Sequence, residues 1–139
     1  MAEMWVWLDD EDGRAPDVPG LMAGECARLS EAAGLTPCGV TRGSVAAARL
    51  VREGAANGLG VVYVLDENRA CAPAGFATAL CAAIDQHQPK LLLLPSTATG
   101  AEIAGRVAAG LGSALLGGCV EVEWQEGSLR VRSEIYGKR

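Results

Sequence analysis

The run Lys90-Leu91-Leu92-Leu93-Leu94-Pro95-Ser96-Thr97-Ala98-Thr99-Gly100, continued by Ala101 to Leu111 and on to Leu116, decides the fold. Four consecutive leucines stopped by a proline are too short for a helix core and predict a strand buried on both faces. Ser96, Thr97 and Thr99 are all good N-cap residues, and Glu102 stands three after Thr99, the spacing of a capping box. Ile103, Val107 and Leu111 recur every four residues with Ala104 and Ala108 beside them, so one apolar stripe runs along a helix that Gly112 ends. A buried strand feeding a capped helix is the βα half of a parallel α/β unit.

Working outward, the same unit repeats. Met4-Trp5-Val6-Trp7-Leu8 predicts the first strand, and Asp9-Asp10-Glu11-Asp12-Gly13 an acidic turn after it. A helix is expected from Pro19 or Leu21 to Ala33, with Met22, Cys26 and Leu29 inward and Gly34 as its cap. Pro37 to Val40 makes a second strand. Ser44 caps a second helix, in which Val45, Ala48 and Val51 or Arg52 mark the turns and which fades at Asn57-Gly58. Val61 to Leu65, rich in β-branched residues, is a third strand. Asp66 to Cys71 is a polar turn. Phe76, Leu80 and Ile84 mark a third helix ending near His87, before Pro89. After the organising strand and helix, Ala114 to Leu116 is a short fifth strand.

The pattern then changes. Cys119 to Trp124 and Leu129 to Ile135 alternate apolar and charged residues around a Gln125-Glu126-Gly127-Ser128 turn, as in a β-hairpin. No repeat or linker interrupts the chain, so residues 1–139 are expected to form a single α/β domain. Right-handed crossovers make its five strands a three-layer, doubly wound parallel sheet with a C-terminal antiparallel hairpin.

Composition narrows the function. The chain has 139 residues and a net charge of −5 with no basic cluster, which disfavours nucleic acid. No apolar run approaches the ~20 residues of a membrane helix. Glu3 and the lack of a basic N-terminal cluster predict neither a signal nor a transit peptide, so a cytoplasmic location is expected. Five cysteines, Cys26, Cys38, Cys71, Cys81 and Cys119, never fall in a C-x-x-C pair, and the lone His87 completes no zinc set. They read as reduced thiols. His87 near a helix C-terminus suits the dipole there. No metal site and no catalytic residue is expected.

Ligands of doubly wound sheets sit at the carboxyl ends of strands. The loops there are Asp9 to Gly13 and Ser96 to Gly100. Backbone N–H groups and hydroxyls at Ser96, Thr97, Thr99 and Gly100 form a candidate anion or nucleotide site on a helix N-terminus, although N-capping alone explains those residues. The acidic loop would repel a triphosphate unless Mg²⁺ intervened, and a solvated acidic turn is the simpler reading. No G-x-G-x-x-G, Walker or G-x-S-x-G motif is present. Trp5, Trp7 and Trp124 are read as packing residues.

Three stretches resemble one known family, the N-terminal domain of the electron transfer flavoprotein alpha subunit. The first is Val6-Trp7-Leu8-Asp9 with Asp12-Gly13 and Pro16, similar to that subunit's opening strand and acidic-glycine turn. The second and most specific is Leu93-Leu94-Pro95-Ser96-Thr97-Ala98-Thr99-Gly100-Ala101-Glu102-Ile103-Ala104, with Arg106-Val107-Ala108 and Leu111-Gly112. The third runs from Arg132 through Ile135-Tyr136-Gly137-Lys138. Asp9 stands where the family usually has Glu, and Lys138 replaces the second glycine of the tyrosine motif. Nothing in the 139 residues resembles the family's second, FAD-binding domain.

The resemblance implies a fold like that of adenine-nucleotide alpha hydrolases and universal stress proteins, with strand order 3-2-1-4-5. It implies a scaffold role in an alpha/beta heterodimer whose FAD carries electrons from acyl-CoA or similar dehydrogenases to a respiratory or other acceptor. The partner is then the electron transfer flavoprotein beta subunit, and this chain alone is expected to hold no FAD. The alternative is a small adenine-nucleotide-binding protein of the universal stress type, resting on Ser96, Thr97, Thr99 and Gly100. Without the family's following strands, the hairpin from Cys119 to Ile135 is expected to mediate self-association as a homodimer.

Overall fold

The computed structural model describes residues 2–11, 13–43, 46–65, 73–111, 119–125 and 128–133. Four parallel strands form its central sheet in the order β3-β2-β1-β4. These are Glu3–Trp7 (β1), Thr36–Arg42 (β2), Val61–Leu65 (β3) and Leu91–Leu93 (β4). Helices Val18–Ala33 (α1), Ala47–Ala56 (α2), Pro73–His87 (α3) and Ala98–Leu111 (α4) alternate with them. The parallel α/β reading of the sequence therefore holds. The predicted fifth strand at Ala114–Leu116, the polar turn at Asp66–Cys71 and the Ser44 cap lie outside the described residues.

Period-2 alternation along β1 sends side chains to two cores. Trp5 and Trp7 join Cys38, Val40, Phe76, Leu80, Ile103 and Val107 on the face covered by α3 and α4. Met4, Val6 and Leu8 join Ala23, Cys26, Leu29 and Leu59 on the face covered by α1. Trp5 and Trp7 are core residues, as their alternation predicts. The order reverses at β1, which pairs with β2 on one side and β4 on the other.

α1 ends as predicted. Gly34 takes φ 72°, and its N–H returns to the carbonyls of Ser30 and Glu31. On α2 the residues that mark the turns are not the buried ones. Leu50 and Gly54 are its buried residues, while Ala48 and Arg52 are exposed. The reason is a close approach: a Cβ at Gly54 would stand 2.9 Å from Leu59 Cδ1, and one at Gly39 on β2 would stand 2.8 Å from the same atom. Two glycines thus make room for Leu59 and Leu8 between helix and sheet.

The four-leucine strand is shorter and less enclosed than expected. Only Leu91–Leu93 pair, with Met4 to Val6 of β1, and all three are half-buried. The stripe on α4 also stops early: Ile103 and Val107 are buried, but Leu111 is 36 % exposed. A separate antiparallel pair joins Cys119–Gln125 (β5) to Ser128–Ser133 (β6), with a backbone register that sets Glu121 opposite Arg132 and Glu123 opposite Arg130.

Candidate functional site

The strand order reverses at β1, so the crevice at issue lies beyond the carboxyl ends of β1 and β4. The segments there are Leu8 to Glu11 after β1 and Leu94 to Thr97 after β4, leading into Ala98 to Gly100 at the start of α4. Register explains the first side. Trp7 pairs with Val40, so the next residues bring Asp9 alongside Arg42. The Leu8 N–H donates to the Val40 carbonyl at 2.8 Å, and the Thr41 hydroxyl donates to the Leu8 carbonyl at 2.9 Å. The backbone at the end of β1 is thereby held on β2.

The acidic loop is not the solvated turn its composition suggests. Asp9 and Asp10 are buried, at 6 % and 4 % exposure. A carboxylate removed from water requires a compensating charge. Arg42 lies 3.7 Å from Asp9, and Arg49 on α2 is ion-paired with Asp10. The Arg42 guanidinium also stacks over the Phe76 ring, 4.8 Å from its centre. Burial pushes the Asp9 carboxyl above its ordinary value, and the opposing pull of Arg42 and of the Glu11 backbone N–H does not cancel it. Glu11 itself adopts φ 56°, which lets Gly13 and Ala15 return their N–H groups to the Asp10 carbonyl. Among the described residues, two buried side-chain polar atoms have no hydrogen-bond partner, Trp7 Nε1 and Glu11 Oε2.

On the other side, part of the predicted anion loop serves its own helix. Thr97 Oγ1 accepts the Gly100 N–H at 3.1 Å, and the Thr97 carbonyl accepts the Ala101 N–H at 2.8 Å. Thr97, not Thr99, is therefore the capping side chain, and Glu102 pairs instead with Arg106 at 3.0 Å. The cap falls two residues earlier than the capping box predicts, and Gly100 sits against Pro95, whose carbonyl oxygen a Cβ at that position would overlap. Of the four candidates, Ser96 is exposed, Thr97 and Thr99 are half-buried, and Gly100 is buried.

His87 is far from this edge. It lies in the last turn of α3, with its ring 4.8 Å from Tyr63 and 5.7 Å from Trp5. There the Glu3 carboxylate accepts the Trp5 indole N–H at 2.8 Å and the Tyr63 hydroxyl at 3.0 Å. Among the described residues, no three His, Cys, Asp or Glu side chains are grouped to hold a metal ion. Arg42, Arg49 and Phe76 do not stand out in the sequence. Their roles follow only once β1 and β2 are set in register and α3 is laid over them.

A family model for the electron transfer flavoprotein domain matches residues 5–139. The chain belongs to that family. A search of curated proteins returns no match. In the electron transfer flavoprotein domain here, the acids after β1 are thus paired and the start of α4 is capped from within.

Proposed function

We propose that this chain is the alpha-type N-terminal domain of an electron transfer flavoprotein, a scaffold that packs on a beta subunit. The supporting observation is that the groups at this sheet edge are already engaged within the chain. Asp9 and Asp10 are buried, Arg42 and Arg49 neutralise them, and Thr97 takes up the Gly100 N–H that an anion would need. Two buried carboxylates at the end of β1 oppose a phosphate at this edge, so the universal-stress-type nucleotide reading is not favoured. In the complex, FAD carries the electrons from acyl-CoA or similar dehydrogenases, and protein domains supply position and electrostatics. In this reading the sheet continues past β4 with a fifth strand, giving order 3-2-1-4-5, and the hairpin completes the domain. The setting is cytoplasmic.

Flavin retention tests the proposal. The purified chain, mixed with excess FAD and desalted, is expected to remain colourless, and to co-elute with an electron transfer flavoprotein beta subunit when the two are combined. Stoichiometric yellow flavin retained by the chain alone would overturn the scaffold reading.

A further inference from the structure

β3 is the outermost strand of the sheet on the side away from β4. Its residues, Val61-Val62-Tyr63-Val64-Leu65, include no charge and no proline, and they pair with β2 without a bulge. Those are the devices by which natural edges avoid pairing. Val61 and Val64 are 43 % and 47 % exposed.

Backbone direction fixes what this edge offers. The Leu65 carbonyl accepts the Gly43 N–H at 2.8 Å, so Leu65 turns its polar groups toward β2. Residues alternate along a strand, so Tyr63 and Val61 do the same, and Val62 and Val64 turn their N–H and C=O groups outward. Among the described residues, no strand lies on that side.

We propose that β3 is a homodimerisation edge, on which a second copy of this chain adds its own β3 antiparallel about a two-fold axis at Tyr63. In that register Val62 and Val64 of one copy exchange hydrogen bonds with Val64 and Val62 of the other. Tyr63 meets Tyr63 as a non-hydrogen-bonded pair, and Val61 meets Leu65. The outward amides fall where this register needs them, and every facing pair is apolar. The strand is thus self-complementary, as an isologous contact requires. The sequence reads nearly the same in both directions, which is why the occupant is a second copy. Like faces also continue into like faces. Tyr63 and Leu65 belong to the core under α3 and α4, and Val62 to the core under α1.

The residue on the axis is already ordered. The Tyr63 hydroxyl donates to both Glu3 carboxylate oxygens, at 3.0 and 3.2 Å. Its ring is flanked by Trp5 at 5.3 Å and His87 at 4.8 Å. Side chains fixed before association lose less freedom on binding.

Sedimentation of the 139-residue chain over a concentration series tests this. A monomer–dimer equilibrium is expected. Val64→Lys and Val61→Lys, each at an exposed position, are expected to weaken it at least about tenfold while leaving circular dichroism unchanged, and melting unchanged at concentrations where both chains are monomers. Val122→Lys in β5 is expected to leave it intact. Hydrogen exchange at the Val62 and Val64 amides is expected to slow with concentration in the unaltered chain and not in Val64→Lys. A monomer at every concentration, dimerisation that survives both β3 substitutions, or loss in Val122→Lys alone would each overturn the proposal.

Discussion

Asp9 is where burial and charge compete most directly. Its carboxyl is almost removed from water, and its cation, Arg42, stands 3.7 Å away with its guanidinium partly engaged by Phe76. Desolvation wins, and the folded state holds the Asp9 proton above the ordinary 3.8. The folded chain then binds more protons than the unfolded one across that interval, so its stability falls as pH rises through it. Asn carries no such proton. Asp9→Asn is therefore expected to gain stability relative to the unaltered chain as pH climbs from about 4 to about 7. Urea midpoints of both proteins across that range are the check, and a constant difference would show that Arg42 fully compensates. Gly100 is the second residue fixed by its neighbours. With the Pro95 carbonyl oxygen where a Cβ would go, Gly100→Ala is expected to cost about 1–3 kcal/mol, read from thermal or urea melts.

At the scale of elements, the start of α4 separates two caps that look alike in sequence. Thr97 makes the hydrogen bond and Thr99 does not carry it. Thr97→Ala is expected to destabilise the protein by about 1 kcal/mol, and Thr99→Ala by a small fraction of that. Equal losses in the two variants would mean that the hydroxyl contact is not what holds the helix start. This also shows where sequence reading stops. The spacing of Phe76 and Leu80, the αL glycine after α1 and the β-branched run of β3 are local signals, and each gave an element in the right place. The inward face of α2 depends on Gly39 across the layer, and the cap at Thr97 goes with Gly100 sitting against Pro95. The burial of Asp9 and Asp10 depends on arginines 33 and 39 residues further along the sequence. None of these is a local signal. Composition made the acidic loop look solvated because the cations that pair with it belong to other elements.

For the molecule as a whole, alkaline pH tests the packing at the amino end of the sheet. Burial raises the Cys26 thiol to about 11, and burial together with Glu3 raises Cys38 to about 12. Tyr63 is raised to about 12 by desolvation and by the Glu3 carboxylate that accepts its hydroxyl. The three groups sit in different elements, α1, β2 and β3, so the effect belongs to the assembled layers and not to one segment. The sign follows from proton counting. Above the ordinary thiol value of 9.0 the unfolded chain releases protons that the folded chain keeps, so stability declines from there upward through the raised values. Replacing a thiol with a methyl group removes its share of that decline while costing some packing at every pH. Cys26→Ala and Cys38→Ala are therefore expected to start less stable at neutral pH and to lose stability less steeply above pH 9 than the unaltered chain. Tyr63→Phe is expected to flatten the limb at still higher pH, since its ordinary value is 10.0. Urea midpoints measured in steps through that range separate the two contributions, because packing sets the offset and titration sets the slope. Curves that stay parallel from neutral to alkaline pH would show that these groups titrate alike in the folded and unfolded chains. In that case the amino end of the sheet would be open to water.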